Sequence, residues 1–130
     1  MAQVKVADLM AKNVITAQKH HTIDHIRKLM QNNSIHAVPI VDSENVPVGI
    51  VTSMDLSDEH KPTTPVSNVM TERVYRIPQY NGVHQAARLM RNHKIHHVLV
   101  THEQELVGIL SSFDLLALVE EHRYVPKNKK

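Results

Sequence analysis

The chain carries its own sequence twice. Shifted by about sixty residues, Val6 falls on Val66, Met10 on Met70, Val14 on Val74, Leu29 and Met30 on Leu89 and Met90, and Asn32 on Asn92. Ile35 and His36 likewise fall on Ile95 and His96, and Val38 on Val98. With one residue dropped in the following turn, Val48-Gly49-Ile50 falls on Val107-Gly108-Ile109, and Ser53, Asp55 and Leu56 fall on Ser112, Asp114 and Leu115. A register held that long means one supersecondary unit built twice. A unit of about 60 residues buries only about 60% of the surface its unfolded chain exposes, so each copy gains by docking on the other.

Within each copy the periodicity changes in the same order. Val14 to Thr16 and Val74 to Ile77 suit short strands. Ile23, Ile26, Leu29 and Met30 then recur at three- and four-residue steps from Thr22, an N-cap candidate, as Val83, Ala86, Ala87 and Met90 do in the second copy. Ala37 to Val41 and Val48 to Val51 read as neighbouring strands around a turn at Asp42 to Asn45. A last helix is expected from Ser53, and from Ser112 in the second copy. The spacing predicts β-α-β-β-α in each copy, a small sheet with helices on one side, and an α+β or α/β fold. Residues 1–60 and 61–122 form the two repeats, and 123–130 a basic tail. Ser57 to Pro65, with Pro62 and Pro65 among charged residues, reads as an exposed connector.

Composition removes several function classes. The 130 residues include no cysteine, which excludes disulfides, thiolate metal sites and a cysteine nucleophile, and suits the cytoplasm. Lys5 and Asp8 interrupt the apolar positions of the first ten residues, so these are expected to be neither signal peptide nor membrane span. The net charge of +2 owes much to Lys127, Lys129 and Lys130, expected to be a solvated tail. With 3% aromatic residues and no Trp, the stacking platforms of single-strand nucleic-acid binders are missing.

The chemistry concentrates at a repeated junction, Gly49-Ile-Val-Thr52-Ser-Met-Asp55 and Gly108-Ile-Leu-Ser111-Ser-Phe-Asp114. A hydroxyl residue three places before a carboxylate at a helix start is a capping box, which explains one isolated copy. Here a glycine precedes it, where a ligand can approach the backbone, and a helix follows, whose first amides attract phosphate. The carboxylate suits the two hydroxyls of a ribose, and the hydroxyl suits ribose or an α-phosphate. A reacting nucleophile is not called for, since no local signature of a nucleophile elbow accompanies these residues.

The duplication, the element order and both junctions resemble the CBS-domain family over nearly the whole chain, from Val4 to His122. The resemblance implies a Bateman module, two repeats packed with pseudo-twofold symmetry around two clefts. It further implies regulatory binding of AMP, ADP or ATP, less often of S-adenosylmethionine, and often dimerisation into a flat disc; the residues themselves call for no catalysis, and an effector protein is expected to read the ligand-bound state. In family members each cleft joins the hydroxyl and carboxylate of one repeat to the first strand and pre-strand turn of the other. By that likeness one site takes Thr52 and Asp55 with Val74, Tyr75, Lys94, Ile95, His96 and His97. The other takes Ser111 and Asp114 with Val14, Ile15, Thr16, Ile35, His36, Ala37 and Pro39. The copies differ where Pro39 is matched by Leu99 and Thr16 by Arg76, which either clamps a phosphate or plugs a cleft.

Two rival readings stand beside this one. Eleven histidines, with His93, His96 and His97 in one group and His20, His21 and His25 in another, raise metal binding. No carboxylate completes a metal motif, so they are expected to be solvated, hydrogen-bonded or pH-sensing, with no bound metal. Met30, Met54, Met70 and Met90 are expected in the core. The second rival is a purely structural dimerisation module with empty clefts.

Overall fold

The computed structural model describes residues 3–121, so the lysine tail and His122 lie outside the described residues. Helix α1 (Val6–Leu9) is followed by α2 (Ile23–Asn33), then β1 (Ala37–Val41) and β2 (Pro47–Thr52). A 3-10 turn at Val66–Asn68 leads into β3 (Arg76–Pro78), α3 (Val83–His93), β4 (His97–His102), β5 (Glu105–Ser111) and α4 (Ser112–Glu121). The fold is α+β. β1 and β2 pair antiparallel, as do β4 and β5, and β3 lies parallel to β4. Among the described residues no helix is long and apolar enough to cross a membrane.

The amphipathic stretches fold as their spacing predicts. Thr22 caps α2, its Oγ1 accepting from the His25 amide at 3.2 Å, and Ile23, Ile26 and Met30 are buried. Val83, Ala86 and Met90 are the buried residues of α3. The turn at Asp42 closes because Asp42 Oδ1 accepts from the amides of Glu44 and Val46, each at 2.9 Å.

Each half of the molecule has a core that the other half's leading segment completes. Val6 is fully buried in the second core, with Val4, Leu9 and Met10 packed against it. Conversely Val66 is fully buried in the first core, with Val69 and Met70 against it. Backbone bonds fix the exchange. The Val6 amide donates to Asn81 O (2.8 Å), and Val4 O accepts from the Val83 amide at the start of α3 (3.0 Å). In the other half the Val66 amide donates to His21 O (2.7 Å), and Thr64 O accepts from the Ile23 amide (2.9 Å). The connector thereby satisfies free donors at the start of α2, which a helix cannot satisfy internally. A third cluster, Val41, Leu99 and Leu106 with Val14, Ile50, Val74 and Ile109 against it, joins the halves.

Three expectations change. The strand at Val14 to Thr16 does not form, and the first copy keeps only a parallel bridge from Ala17 to Ile40. In the second copy the Leu99 amide donates to Tyr75 O at 2.9 Å, whereas the matching Pro39 has no N–H to hold Ile15. The helix expected from Ser53 is instead a run of turns: Ser57 Oγ donates back to Met54 O (2.7 Å), and Arg27 takes Leu56 O (3.1 Å). Met54 rides on those turns, 78% exposed, rather than in the core.

The third change concerns the glycines. A Cβ on Gly49 would lie 2.6 Å from Met70 Sδ, and one on Gly108 would run into Met10. These glycines admit methionines of the exchanged segments, not a ligand. Gly49→Ala and Gly108→Ala are each expected to cost about 1–3 kcal/mol in chemical denaturation, as overpacked cores do. Met70→Ala combined with Gly49→Ala is expected to cost less than the sum of the two single changes.

A candidate ligand cleft between the repeats

The antiparallel bridge of Thr71 to Ile50 of β2 sets the geometry of the site. The Ile50 amide donates to Thr71 O (3.0 Å) and the Thr71 amide to Ile50 O (2.9 Å). The chain therefore rises from Thr71 through Arg73 to Tyr75 beside the end of β2, where Thr52 and Asp55 stand. Between them opens a cleft of about 500 Å³. Its apolar lining is Ile50, Val74, Ile95 and Leu99, and Thr52, Ser53, Met54 and Asp55 line it from the first repeat. Arg73, Tyr75, His93, His96 and His97 line it from the second, and His36 from the start of β1.

Of the first predicted set, Thr52, Asp55, Val74, Tyr75, Ile95, His96 and His97 are brought together here. Lys94 is not. It holds the left-handed position that ends α3 (φ 54°) and lines a neighbouring groove with His96 and Ser112. His36, expected in the other cleft, lines this one. Of the second set, Ser111 and Asp114 stand together at the start of α4, with Ser111 opposite His97 in the β4–β5 register. Pro39 and Ala37 are buried in β1, Ile35 packs on the first core and Val14 on the joining cluster. Ile15 and Thr16 are half-buried in the unpaired segment before Ala17. Arg76 is exposed on β3 and does not line the cleft. Arg73 and His93 do, and sequence reasoning missed them. Arg73 stands one residue ahead of the segment that the sequence singles out, and His93 reads from sequence as a metal candidate.

Both carboxylates bond back to the residue three places before, Asp114 at the start of a helix and Asp55 within a run of turns. Asp55 Oδ2 accepts from the Thr52 amide (2.8 Å) and the Thr52 hydroxyl (3.2 Å). Asp114 Oδ2 accepts from the Ser111 amide (2.8 Å), while the Asp114 amide donates to Ser111 Oγ (3.1 Å). The pairs differ in one proton: the Thr52 hydroxyl spends its hydrogen on Asp55, whereas the Ser111 hydroxyl accepts from the Asp114 amide and, among the described residues, gives its hydrogen to no side chain. In each case one carboxylate oxygen makes these bonds. A carboxylate has about four acceptor positions on two oxygens, so Oδ1 remains available.

Four histidines line the cleft. His93 stacks on Tyr75 with ring centres 4.2 Å apart, and His96 Nδ1 shares a hydrogen bond with Ser112 Oγ at 3.2 Å. Burial holds His97 below the ordinary histidine range, and His96 and His36 lower it further, against an opposing pull from Asp114. Away from the cleft, His20, His21 and His25 lie in series with their rings tilted to one another, neighbouring ring centres 4.5 Å apart. His21 also lies below the ordinary range, through desolvation first and then its two neighbours, and its Nδ1 accepts from the Gln18 amide at 2.8 Å. Among the described residues no three His, Asp or Glu side chains are arranged to hold a metal ion.

Two half-sized α+β units, each finished by the other's leading segment and sharing a cleft, define a tandem-repeat protein. The chain belongs to the CBS-domain family, whose pattern matches residues 6–60 and again residues 66–121. It is similar to the solved structure of a Vibrio cholerae protein described as an acetoin utilization protein: 32% identical, 95% of this chain and 100% of that one covered, TM-score 0.80. A CBS domain pair solved in complex with 5'-methylthioadenosine and S-adenosyl-L-methionine is 28% identical, over 92% of this chain and 98% of that one, with TM-score 0.82. Homoserine O-acetyltransferase of Methanosalsum zhilinae is 28% identical over 122 residues, 92% of this chain and 25% of the enzyme. The chain spans 23–33% of the length of the first four curated relatives it matches. A CBS domain-containing protein of Dictyostelium discoideum is 30% identical and matches along 92% of its own length.

The lowered His21 and His97 give a pH dependence of known sign. Folding favours their neutral forms, so the stabilisation is complete above the unfolded value near 6.5 and is lost as pH falls through the folded values. The denaturation midpoint is expected to fall between about pH 7 and about pH 5, and His21→Gln with His97→Gln to flatten that slope.

Proposed function

We propose that this chain is a regulatory module that senses an adenine nucleotide (AMP, ADP or ATP) in the cleft between its repeats and carries out no reaction of its own. One observation carries the reading: the cleft sets an apolar lining beside a carboxylate with a free oxygen, and faces both with Arg73 and imidazoles. Adenine suits the Ile50, Val74 and Leu99 surfaces. The ribose diol suits Asp55 Oδ1. Phosphates suit Arg73, whose guanidinium stays charged and offers a planar fork of donors. The solved relative bound to methylthioadenosine and S-adenosylmethionine supports the adenosyl half of the ligand. A sulfonium ligand brings a positive charge toward Arg73, so the surroundings favour a phosphate. In this reading Ser111 and Asp114 offer a second ribose contact.

The sensor works by differential affinity: a ligand shifts the relation of the two halves only as far as it binds one arrangement better. A cytoplasmic homodimer and an effector protein that reads the change complete the proposal. Helix α4 favours the dimer, because Phe113, Leu116 and Val119 are 79%, 58% and 71% exposed and none of its residues is buried. Met54, at the position matching Phe113, is exposed in the same way.

Thermal melting with AMP, ADP, ATP and S-adenosylmethionine tests the ligand. A nucleotide at a hundredfold its dissociation constant is expected to stabilise the fold by about 2.7 kcal/mol. A flat panel would leave only the structural reading. Asp55→Ala is expected to weaken binding roughly ten- to a hundredfold, the worth of a charged hydrogen bond, while the lost bonds to Thr52 cost about 1 kcal/mol of stability. Unchanged affinity in both Asp55→Ala and Asp114→Ala would remove the ribose assignment. For the dimer, Leu116→Glu with Val119→Glu is expected to halve the mass measured by light scattering. A wild-type chain that runs as a monomer would end that part of the proposal.

A further inference from the structure

The cleft holds more imidazole than shape requires. His36, His93, His96 and His97 all line it, and Arg73 is the one permanently charged cation among its lining residues. Two of the four rings are engaged, His93 with Tyr75 and His96 with Ser112. His36 is exposed at the head of β1. His97 is different: it is half-buried on β4 and takes no part in the side-chain hydrogen bonds of the described residues.

We propose that the cleft takes up a proton together with its ligand, the phosphate of the nucleotide binding along with a hydrogen ion carried on His97. The inference rests on the nucleotide reading above and adds to it a dependence on pH.

The surroundings of His97 decide the direction. His96 precedes it, His36 approaches from β1, and Asp114 approaches from the first turn of α4. Across the cleft stand Arg73 and Tyr75 before β3, Asp55 after β2 and His93 at the end of α3; Lys94 lies just outside. Burial and two neighbouring imidazoles favour the neutral form of His97, and Asp114 alone opposes them among the groups acting on it. A phosphate brought into the same space adds negative charge next to a desolvated imidazole, which favours the protonated form. A proton is then gained wherever the pH lies between the ring's free and bound values. Affinity is therefore highest at low pH and falls as pH rises through the bound value. The limit for one full proton is a tenfold change in affinity per pH unit.

Isothermal titration calorimetry of the full chain tests this, using whichever of AMP, ADP and ATP binds tightest and adenosine as an uncharged probe. Titrations run at about pH 6 and about pH 8, in buffers of different ionisation enthalpy, which reports the protons exchanged. The nucleotide is expected to bind more weakly at the higher pH and to take up protons, and adenosine to do neither. His97→Gln is expected to remove the protein's share of that uptake while nucleotide still binds, leaving only the share that belongs to the phosphate. His20→Gln, away from the cleft, is expected to change nothing. In the unaltered protein the His97 ring resonances are expected to titrate at higher pH with nucleotide than without, a readout that needs no variant. Nucleotide binding with equal proton uptake in wild type and His97→Gln, or an unmoved ring titration, would overturn the proton link alone. Failure of every nucleotide and of adenosine to bind at either pH would overturn the nucleotide reading and this inference with it.

Discussion

Two methionines lying over two glycines hold this molecule's plan together. Met70 occupies the space above Gly49, and Met10 the space above Gly108, each from a segment that leads into the other repeat. The residues just beyond each methionine are bridged to the adjoining strand, Thr71 to Ile50 and Ala11 to Ile109. That bridging places Arg73 and Tyr75 next to Thr52 and Asp55. The cleft thus depends on a core contact several residues away, and a side chain that displaced Met70 would disturb the cleft wall as well as the core.

The duplication is not reproduced evenly. Pro39 withholds the donor that Leu99 supplies, so the first repeat loses a strand that the second keeps. After Leu56 the chain turns through Ser57 and leaves, whereas after Leu115 it continues as helix α4. The paired residues inherit the difference. Asp55 tops a set of turns and takes the hydroxyl hydrogen of Thr52, while Asp114 opens a full helix and does not take that of Ser111. A helix start also concentrates amide dipoles that a few turns do not, so the two carboxylates stand in different fields.

What could be read from the residues divides along physical lines. Helices α2 and α3 and strands β1 and β2 follow from apolar periodicity, because local burial patterns decide them. The Thr52–Asp55 and Ser111–Asp114 pairings were legible from spacing alone, though only the second opens a helix. Long-range partners were not legible. Gly49 read as room for a ligand because nothing local names Met70 as its neighbour, and Met54 read as core because its turn was expected to be helix. Lys94 looked like a cleft residue by likeness, yet its left-handed backbone carries it into a neighbouring groove. Arg73 carried no motif of its own; only the bridge at Thr71, a contact across the fold, aims it at the cleft.

The crossing of the leading segments also decides what can travel between proteins. A cut at the sequence boundary near residue 60 separates Val66 and Met70 from the core they complete, and leaves Val6 and Met10 without theirs. Neither severed half keeps a closed interior. The smallest portable piece is therefore the couple, a sort of clasp whose two parts are threaded through one another. The match to Methanosalsum zhilinae homoserine O-acetyltransferase likewise takes in both parts together, 92% of this chain along a quarter of the enzyme.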